Sequence, residues 1–489
     1  MATNGTGGRV EEPALLPLLD TTSSTHQHEL DEPLHKRYLV ESKKLWHIVG
    51  PAIFSRIAMY STLVITQALA GHLGDLEFAA TSIATSLILG FDLGLVLGMA
   101  SALETLCGQA YGAKDYRMLG VYLQRSWIVL FLTSVLILPL YIFASPVLKL
   151  LGQPADISEL SGVVAINLIP LHFSLCFQFP IQRFLQSQLK TYVIAWVTLG
   201  ALIFHSIMSW LVVSWFQLGL IAMIMTLNIS LWLIALGLFA YTAFGGCPDT
   251  WTGFSMEAFS GLWAFVKLST SSGVMLCLEE WYYRILIVMT GNLENIKIAV
   301  DALSICMSIQ GLEMMIPFGF CAGIGVRVAN ELGAGNGKGA RFATIVSVTT
   351  SIVIGLFFWL IIILFHKEIA LIFTNSEPIL DVVSDLSLLL AFTILLNSVQ
   401  PVLSGVAVGS GWQSYVAYIN LGCYYLIGLP IGFAMEWIFN LGVMGIWAGM
   451  IFGGTAIQTV VLAIITSRCD WEKEAQRAST HVKKWATVH

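Results

Sequence analysis

Charge is what this sequence has least of. Of its 489 residues only 24 are Lys or Arg and 30 are Asp or Glu, 11% together, where soluble domains carry about 25%. That scarcity excludes the two or three soluble domains the length would otherwise allow. The eight cysteines include no CxxC pair and most sit in apolar segments, which reads as small buried hydrophobes rather than a disulfide frame or zinc site. The ten histidines are scattered. No metal, cofactor or nucleic-acid partner is expected. No nucleophile–base constellation appears, so the chain does not read as an enzyme. Nor is there a GxxxxGK[ST] loop: the glycine run Gly333-Ala-Gly-Asn-Gly-Lys-Gly339 follows an apolar helix instead of a strand. ATP hydrolysis within the chain is thereby excluded as a driving force.

What is present is hydrophobicity, 56% of residues. It is arranged in runs long enough to cross a bilayer, about 20 residues each. Twelve spans are predicted, at about 46–70, 79–108, 122–145, 158–180, 193–215, 218–242, 262–290, 298–325, 341–365, 380–405, 414–438 and 442–466. Residues 1–44 read as a disordered cytoplasmic tail, 243–261 as a cytoplasmic linker and 467–489 as a charged cytoplasmic tail. With both tails inside, 18 of the 24 basic residues face the cytoplasm and 3 face out, which fixes the orientation.

The chain is one unit used twice. Met99–Tyr116, MASALETLCGQAYGAKDY, returns as Ala322–Gly339, AGIGVRVANELGAGNGKG. A slide of 221 residues lays Gln109 on Asn330, Gly112 on Gly333 and Pro180 on Pro401. Gly71-His-Leu matches Gly291-Asn-Leu at 220. The expected fold is all-α and polytopic: an N-lobe at 45–242 and a C-lobe at 262–466, six helices each, in parallel topology around a central cleft. Internal repeats of this kind are the usual build of secondary transporters.

Ionisable groups inside hydrocarbon are costly and therefore functional candidates. Glu279, Glu280 and Asp301 are the candidates for proton coupling; Glu104, Asp92 and Glu313 are candidates for gating or secondary coupling. Glu279 and Glu280 point about 100° apart on one helix. Arg284 follows Glu280 by four residues, the favourable order for an ion pair. Arg284, Tyr282, Tyr283, Gln67, Gln310, Asn397 and Tyr425 are the candidate substrate-cavity residues. Pro51, Pro180, Pro317, Pro401 and Pro430 are expected to kink or break spans. In the N-terminal tail Glu11, Leu15 and Leu16 have the acid–three residues–Leu-Leu spacing that clathrin adaptors read when sorting proteins to vacuoles or lysosomes.

These residues resemble the multidrug and toxic compound extrusion (MATE) family, in its plant detoxification branch. The likeness is carried by Gly71-His-Leu-Gly74, Ser101–Gly112, Gln182-Arg-Phe-Leu-Gln186, Arg327–Asn336, Gly409-Ser-Gly-Trp-Gln413 and Asn420-Leu-Gly. It implies two six-helix lobes, alternating access, and export in exchange for protons or sodium. In plant members the acid of the Cys-Leu-Glu motif is taken as a proton site, which falls on Glu279. A second Glu five residues later is replaced here by Arg284. The first span also lacks the Asp of prokaryotic members, leaving Gln67 as the nearest polar group. The Cys277-Leu-Glu start and the Val300-Asp-Ala-Leu-Ser-Ile-Cys run look like the branch linked to vacuolar flavonoid transport and anion conductance. The expectation is proton-coupled antiport of organic anions or flavonoid conjugates into the vacuole, with the plasma membrane as the alternative location. An anion channel on the same scaffold, and a lipid flippase, are the rival readings.

Overall fold

The computed structural model describes residues 33–290 and 296–487. The sorting candidates Glu11, Leu15 and Leu16 and the Gly291-Asn-Leu copy lie outside them. Among the described residues every regular element is helical. The N-lobe holds α1 (Leu34–Leu73), α2 (Asp75–Gly112), α3 (Tyr116–Ile142), α4 (Ala155–Asn167 and, after a 47° bend, Ile169–Ser187), α5 (Thr191–Trp215) and α6 (Gly219–Gly246). The C-lobe holds α7 (Leu262–Thr290), α8 (Ile296–Gly333), α9 (Gly337–Ala370), α10 (Glu377–Ser410), α11 (Gln413–Trp437) and α12 (Gly442–Arg468). A C-terminal helix α13 (Trp471–Thr487) packs on α8 and α9.

Ten of these helices are long and apolar enough to cross a membrane, and the bent α4 makes eleven. The twelfth position is α7, whose 29 residues include Glu279, Glu280 and Arg284. Its polarity weakens its signal as a span. The slide of 221 holds at the helix ends: Gly112 and Gly333 end α2 and α8, and Tyr116 and Gly337 begin α3 and α9. Helix α1 begins at Leu34, inside the stretch expected to be tail. Three basic residues counted on the cytoplasmic side, Arg125, Arg183 and Arg327, are buried within helices, each with polar partners. Arg125 bonds the Glu257 carbonyl and Ser260, Arg183 pairs with Glu104, and Arg327 reaches Glu41 and Glu331.

The helices run on through Pro51, Pro180, Pro317 and Pro401. The irregularities are π-helical turns at Ala84–Leu89 of α2, Leu211–Trp215 ending α5, Thr242–Gly246 ending α6, Leu421–Gly428 of α11 just ahead of Pro430, and Ile451–Thr455 of α12, a non-helical residue at Phe365 of α9, and the bend of α4. That bend precedes Pro170, which has no N–H to give. The freed groups are recovered from α6: Asn228 accepts from the Leu171 amide at 3.0 Å and donates to the Asn167 carbonyl at 2.7 Å. Inside a bilayer such replacement is obligatory.

Each lobe has its own core, one around α2, α4 and α6, the other around α8, α10 and α12. The lobes meet along two antiparallel seams, α2 against α7 and α8 against α1, and where α2 itself crosses α8. The slide exchanges these two seams.

Candidate functional site

The repeat noticed in the sequence is a contact in space. A side chain on Gly112 would collide with the backbone carbonyl of Asn330, and one on Gly333 with that of Gln109. These are the same contact with the halves exchanged. Only residues without a Cβ allow helices this close. Around the crossing, Gln109 donates to the Gly409 carbonyl at 3.2 Å and Asn330 to the Ser187 carbonyl at 3.3 Å. Thr105 donates to the Val408 carbonyl at 2.5 Å, and Gln413 donates to Thr105 at 2.7 Å. The two lobes are thus closed on each other at the end that the basic residues mark as cytoplasmic.

Glu104 stands in this closing surface. The slide lays it on Gly325, and the two positions meet: a Cβ on Gly325 would enter the space of the Glu104 carboxylate. The site where the halves face themselves therefore admits one acid. That acid pairs with Arg183 at 2.8 Å, both side chains nearly sealed.

The acids of the C-lobe are placed differently. Glu279 is buried on α7, beside Gln400 of α10 and within reach of Tyr283 and Tyr424. One of its oxygens, Oε2, has no hydrogen-bond partner. Tyr283 donates to Asn397 Oδ1 at 3.1 Å and lies 3.2 Å from the Thr455 hydroxyl. The neighbouring Tyr424 hydroxyl and Asn397 amide nitrogen lack partners, as does Oε1 of Gln310. Glu313, also buried, has neither oxygen bonded. An unpartnered carboxylate in this setting costs far more ionised than neutral, so the geometry favours acids that carry a proton.

Of the predicted residues, Glu279, Tyr283 and Asn397 come together in this one polar pocket of the C-lobe. Tyr425 sits at its edge, donating to the Leu278 carbonyl at 3.0 Å. Glu280 turns the other way, against Gly94 of α2 in the N-lobe. Asp301 is half-buried near the start of α8. Gln67 stays within the N-lobe, donating to Thr85 at 3.2 Å.

Two expectations are corrected. Tyr282 does not line a cavity. It is fully buried, stacked on Tyr424 at 4.4 Å, and its hydroxyl donates to the Met450 carbonyl at 2.5 Å. The space for its ring comes from Gly428 and Gly454, far away in sequence. Arg284 closes no ion pair with Glu280. Its Nη1 donates instead to the Ser86 carbonyl at 2.7 Å, across the seam in the π turn of α2. The guanidinium lies over Gly90, where no side chain blocks it.

The sequence reading missed Arg183, Gln400 and Thr455, and above all His172, which lies 2.7 Å from Asp92. One signal was available. The slide of 221 lays Asp92 on Glu313, marking both acids as one duplicated position.

Two six-helix lobes joined by a repeat, closed at one end over buried acids, have the build of a secondary transporter. The MatE family model matches residues 51–211 and 272–434, and the chain belongs to this family of MATE transporters. Protein DETOXIFICATION 27 of Arabidopsis thaliana is 68% identical over 466 residues, covering 95% of this chain and 96% of its own. Protein DETOXIFICATION 26 of the same plant is 61% identical over 479 residues, covering 98% and 97%. The crystal structure of the eukaryotic MATE transporter AtDTX14 superposes with a TM-score of 0.85 at 34% identity, covering 91% of this chain and 99% of that one. A MATE structure in a bent conformation shares the fold at 16% identity, with a TM-score of 0.77 and coverage of 91% and 97%. The chain is accordingly an integral membrane transporter for efflux of small compounds by secondary active transport.

Proposed function

We propose that the chain is a proton-coupled antiporter in which Glu279 carries the driving proton. It moves organic anions or flavonoid conjugates from the cytosol into the vacuole. The observation that supports this most is the unpartnered Oε2 of the buried Glu279, to which no cation is bonded among the described residues. Such a group can lose its proton only when the pocket opens to water or a substrate displaces it, which is the linkage antiport requires. Glu280 and Asp301 are the auxiliary acids of this drive. Glu104, with Arg183, acts as the cytoplasmic gate, because that pair lies where the two lobes close. The anionic substrate class follows from Arg284, a positive charge held at the lobe seam where other plant sequences place an acid. The vacuolar membrane follows from the Glu11, Leu15, Leu16 spacing, and Leu15→Ala with Leu16→Ala is expected to send the protein to another membrane.

The test is uptake by proteoliposomes under an imposed pH step, offered flavonoid glycosides, carboxylates and chloride in turn. Accumulation of an organic anion with proton outflow supports antiport. Currents that follow the chloride Nernst potential without proton movement would replace it with a channel.

A further inference from the structure

A second buried acid, in the other lobe, is built quite unlike Glu279. Asp92 lies on α2, three residues after the π turn Ala84–Leu89. Gly90 and Gly94, on the helix face toward α7, meet Arg284 and Glu280. Asp92 is about 200° round from either and points into the N-lobe. There its Oδ2 accepts from the Tyr141 hydroxyl of α3 at 2.8 Å and lies 2.7 Å from His172 Nδ1 of α4. The other ring nitrogen of His172, Nε2, lies 2.9 Å from the Ser134 carbonyl. Both the Asp92 and the His172 side chains are 0% exposed.

Counting hydrogens at these contacts is decisive. A carbonyl oxygen can only accept, so Nε2 carries a hydrogen. Nδ1 then faces Oδ2, and a hydrogen must lie between them as well. It belongs either to an imidazolium facing a carboxylate or to a carboxylic acid facing a neutral ring. Without it, a bare nitrogen lone pair would confront an oxygen at one end of the ring or the other. The contact therefore contains one proton beyond those of a neutral histidine and an ionised aspartate. A second observation points the same way. Asp92 Oδ1 is buried with no partner, an arrangement unfavourable for a full carboxylate charge.

We propose that Asp92, His172 and Tyr141 form a proton-binding site of the N-lobe, separate from the Glu279 pocket and filled in this cytoplasm-closed state. Asp92 and His172 share the bound proton, and Tyr141 holds the carboxyl group in place. Among the described residues, the other titratable group against the pair is the Cys176 thiol of α4; Arg284 and Glu280 of α7 face the opposite side of α2. Release requires a change in the distance between α2 and α4. Both helices have a non-α element about one turn upstream of the site, the π turn in α2 and the bend at Leu168 in α4, and such elements mark places where helices rearrange.

The test measures bound protons directly, using the full-length protein purified in detergent. A weakly buffered sample is titrated between about pH 5 and 8, the range in which histidine pairs exchange protons, with an indicator dye. Asp92→Asn offers an amide N–H to a neutral His172, so every contact is satisfied without the extra proton. This variant is expected to bind one proton fewer than the parent and to show an altered pH profile of uptake. An unchanged proton count would overturn the proposal. Should Asp92→Asn fail to fold, the ¹⁵N-histidine spectrum of the parent decides, with His172→Gln assigning the signal. A His172 whose Nδ1–Oδ2 proton is lost on raising the pH supports the site; one whose protonation stays fixed across the range overturns it. Glu279→Gln, run in parallel, reports on the C-lobe alone, so failure of either site leaves the other result readable.

Discussion

Asp92 and Glu313 stand one repeat apart, 221 residues, and their surroundings share almost nothing. Asp92 has a histidine and a tyrosine on its carboxyl group. The same slide puts Thr393 and Ile362 at the positions of His172 and Tyr141, and Glu313 has no bonded oxygen. The contrast extends to the other acids. Glu104 of the N-lobe is neutralised by Arg183, whereas Glu279 of the C-lobe has an oxygen left bare. Duplication kept an acid at one position in both halves and then divided the work. The N-lobe acids are held by partners, which favours retention and closure. Glu279 and Glu313 of the C-lobe keep oxygens without a hydrogen-bond partner, an arrangement whose cost a bound proton would offset.

The largest effect is expected at Glu279. Glu279→Gln should abolish pH-driven uptake while the protein still folds and reaches its membrane, measured as flux per mole of reconstituted protein. Next comes the gate. Arg183→Ala removes the ion-pair partner of buried Glu104 and leaves the more distant Arg56 acting on it, so the loss should approach about 3–5 kcal/mol, the cost of a broken buried pair. Thermal unfolding should register most of that loss, and Arg183→Ala with Glu104→Gln should recover part of it. An equal loss in single and double variants would show that the pair contributes little. At the crossing of the repeats, Gly112→Ala and Gly333→Ala should each hold the lobes apart and leave cytoplasmic positions open to thiol reagents. The two should act alike, because they are one contact seen from either half. Glu313→Leu should raise stability by about 1–3 kcal/mol, since it removes an unsatisfied buried acid, while lowering transport. A stability loss would mean that Glu313 has a partner after all. The smallest effect is expected at Arg284, where Arg284→Glu should shift preference from anions towards cations without stopping transport. An unaltered preference would remove Arg284 from substrate selection.

The two-lobed architecture was legible in the sequence because long apolar runs and a fixed slide both survive in one dimension. The burial of Glu279 was legible for a related reason: a carboxylate in the middle of an apolar span is conspicuous wherever its helix goes. The errors fell on residues whose role is set by a distant element. Tyr282 and Tyr283 are neighbours, yet Gly428 and Gly454 draw the first into the core, while Asn397 and Thr455 hold the second in the pocket. Arg284 had a good partner four residues away and took a carbonyl on another lobe instead. His172 looked like one scattered histidine of ten, because neither spacing nor periodicity brings it to a residue 80 positions earlier.

Counting protons against substrate across a sealed vesicle tests the central claim most directly. Proteoliposomes of the parent and of Glu279→Gln, preloaded with acid and given an anionic substrate outside, are followed for substrate entry and proton exit together. Coupled exchange in the parent, with both fluxes lost in the variant, is the expected result. Undiminished acid-driven uptake by the variant would contradict the assignment of the driving proton to Glu279.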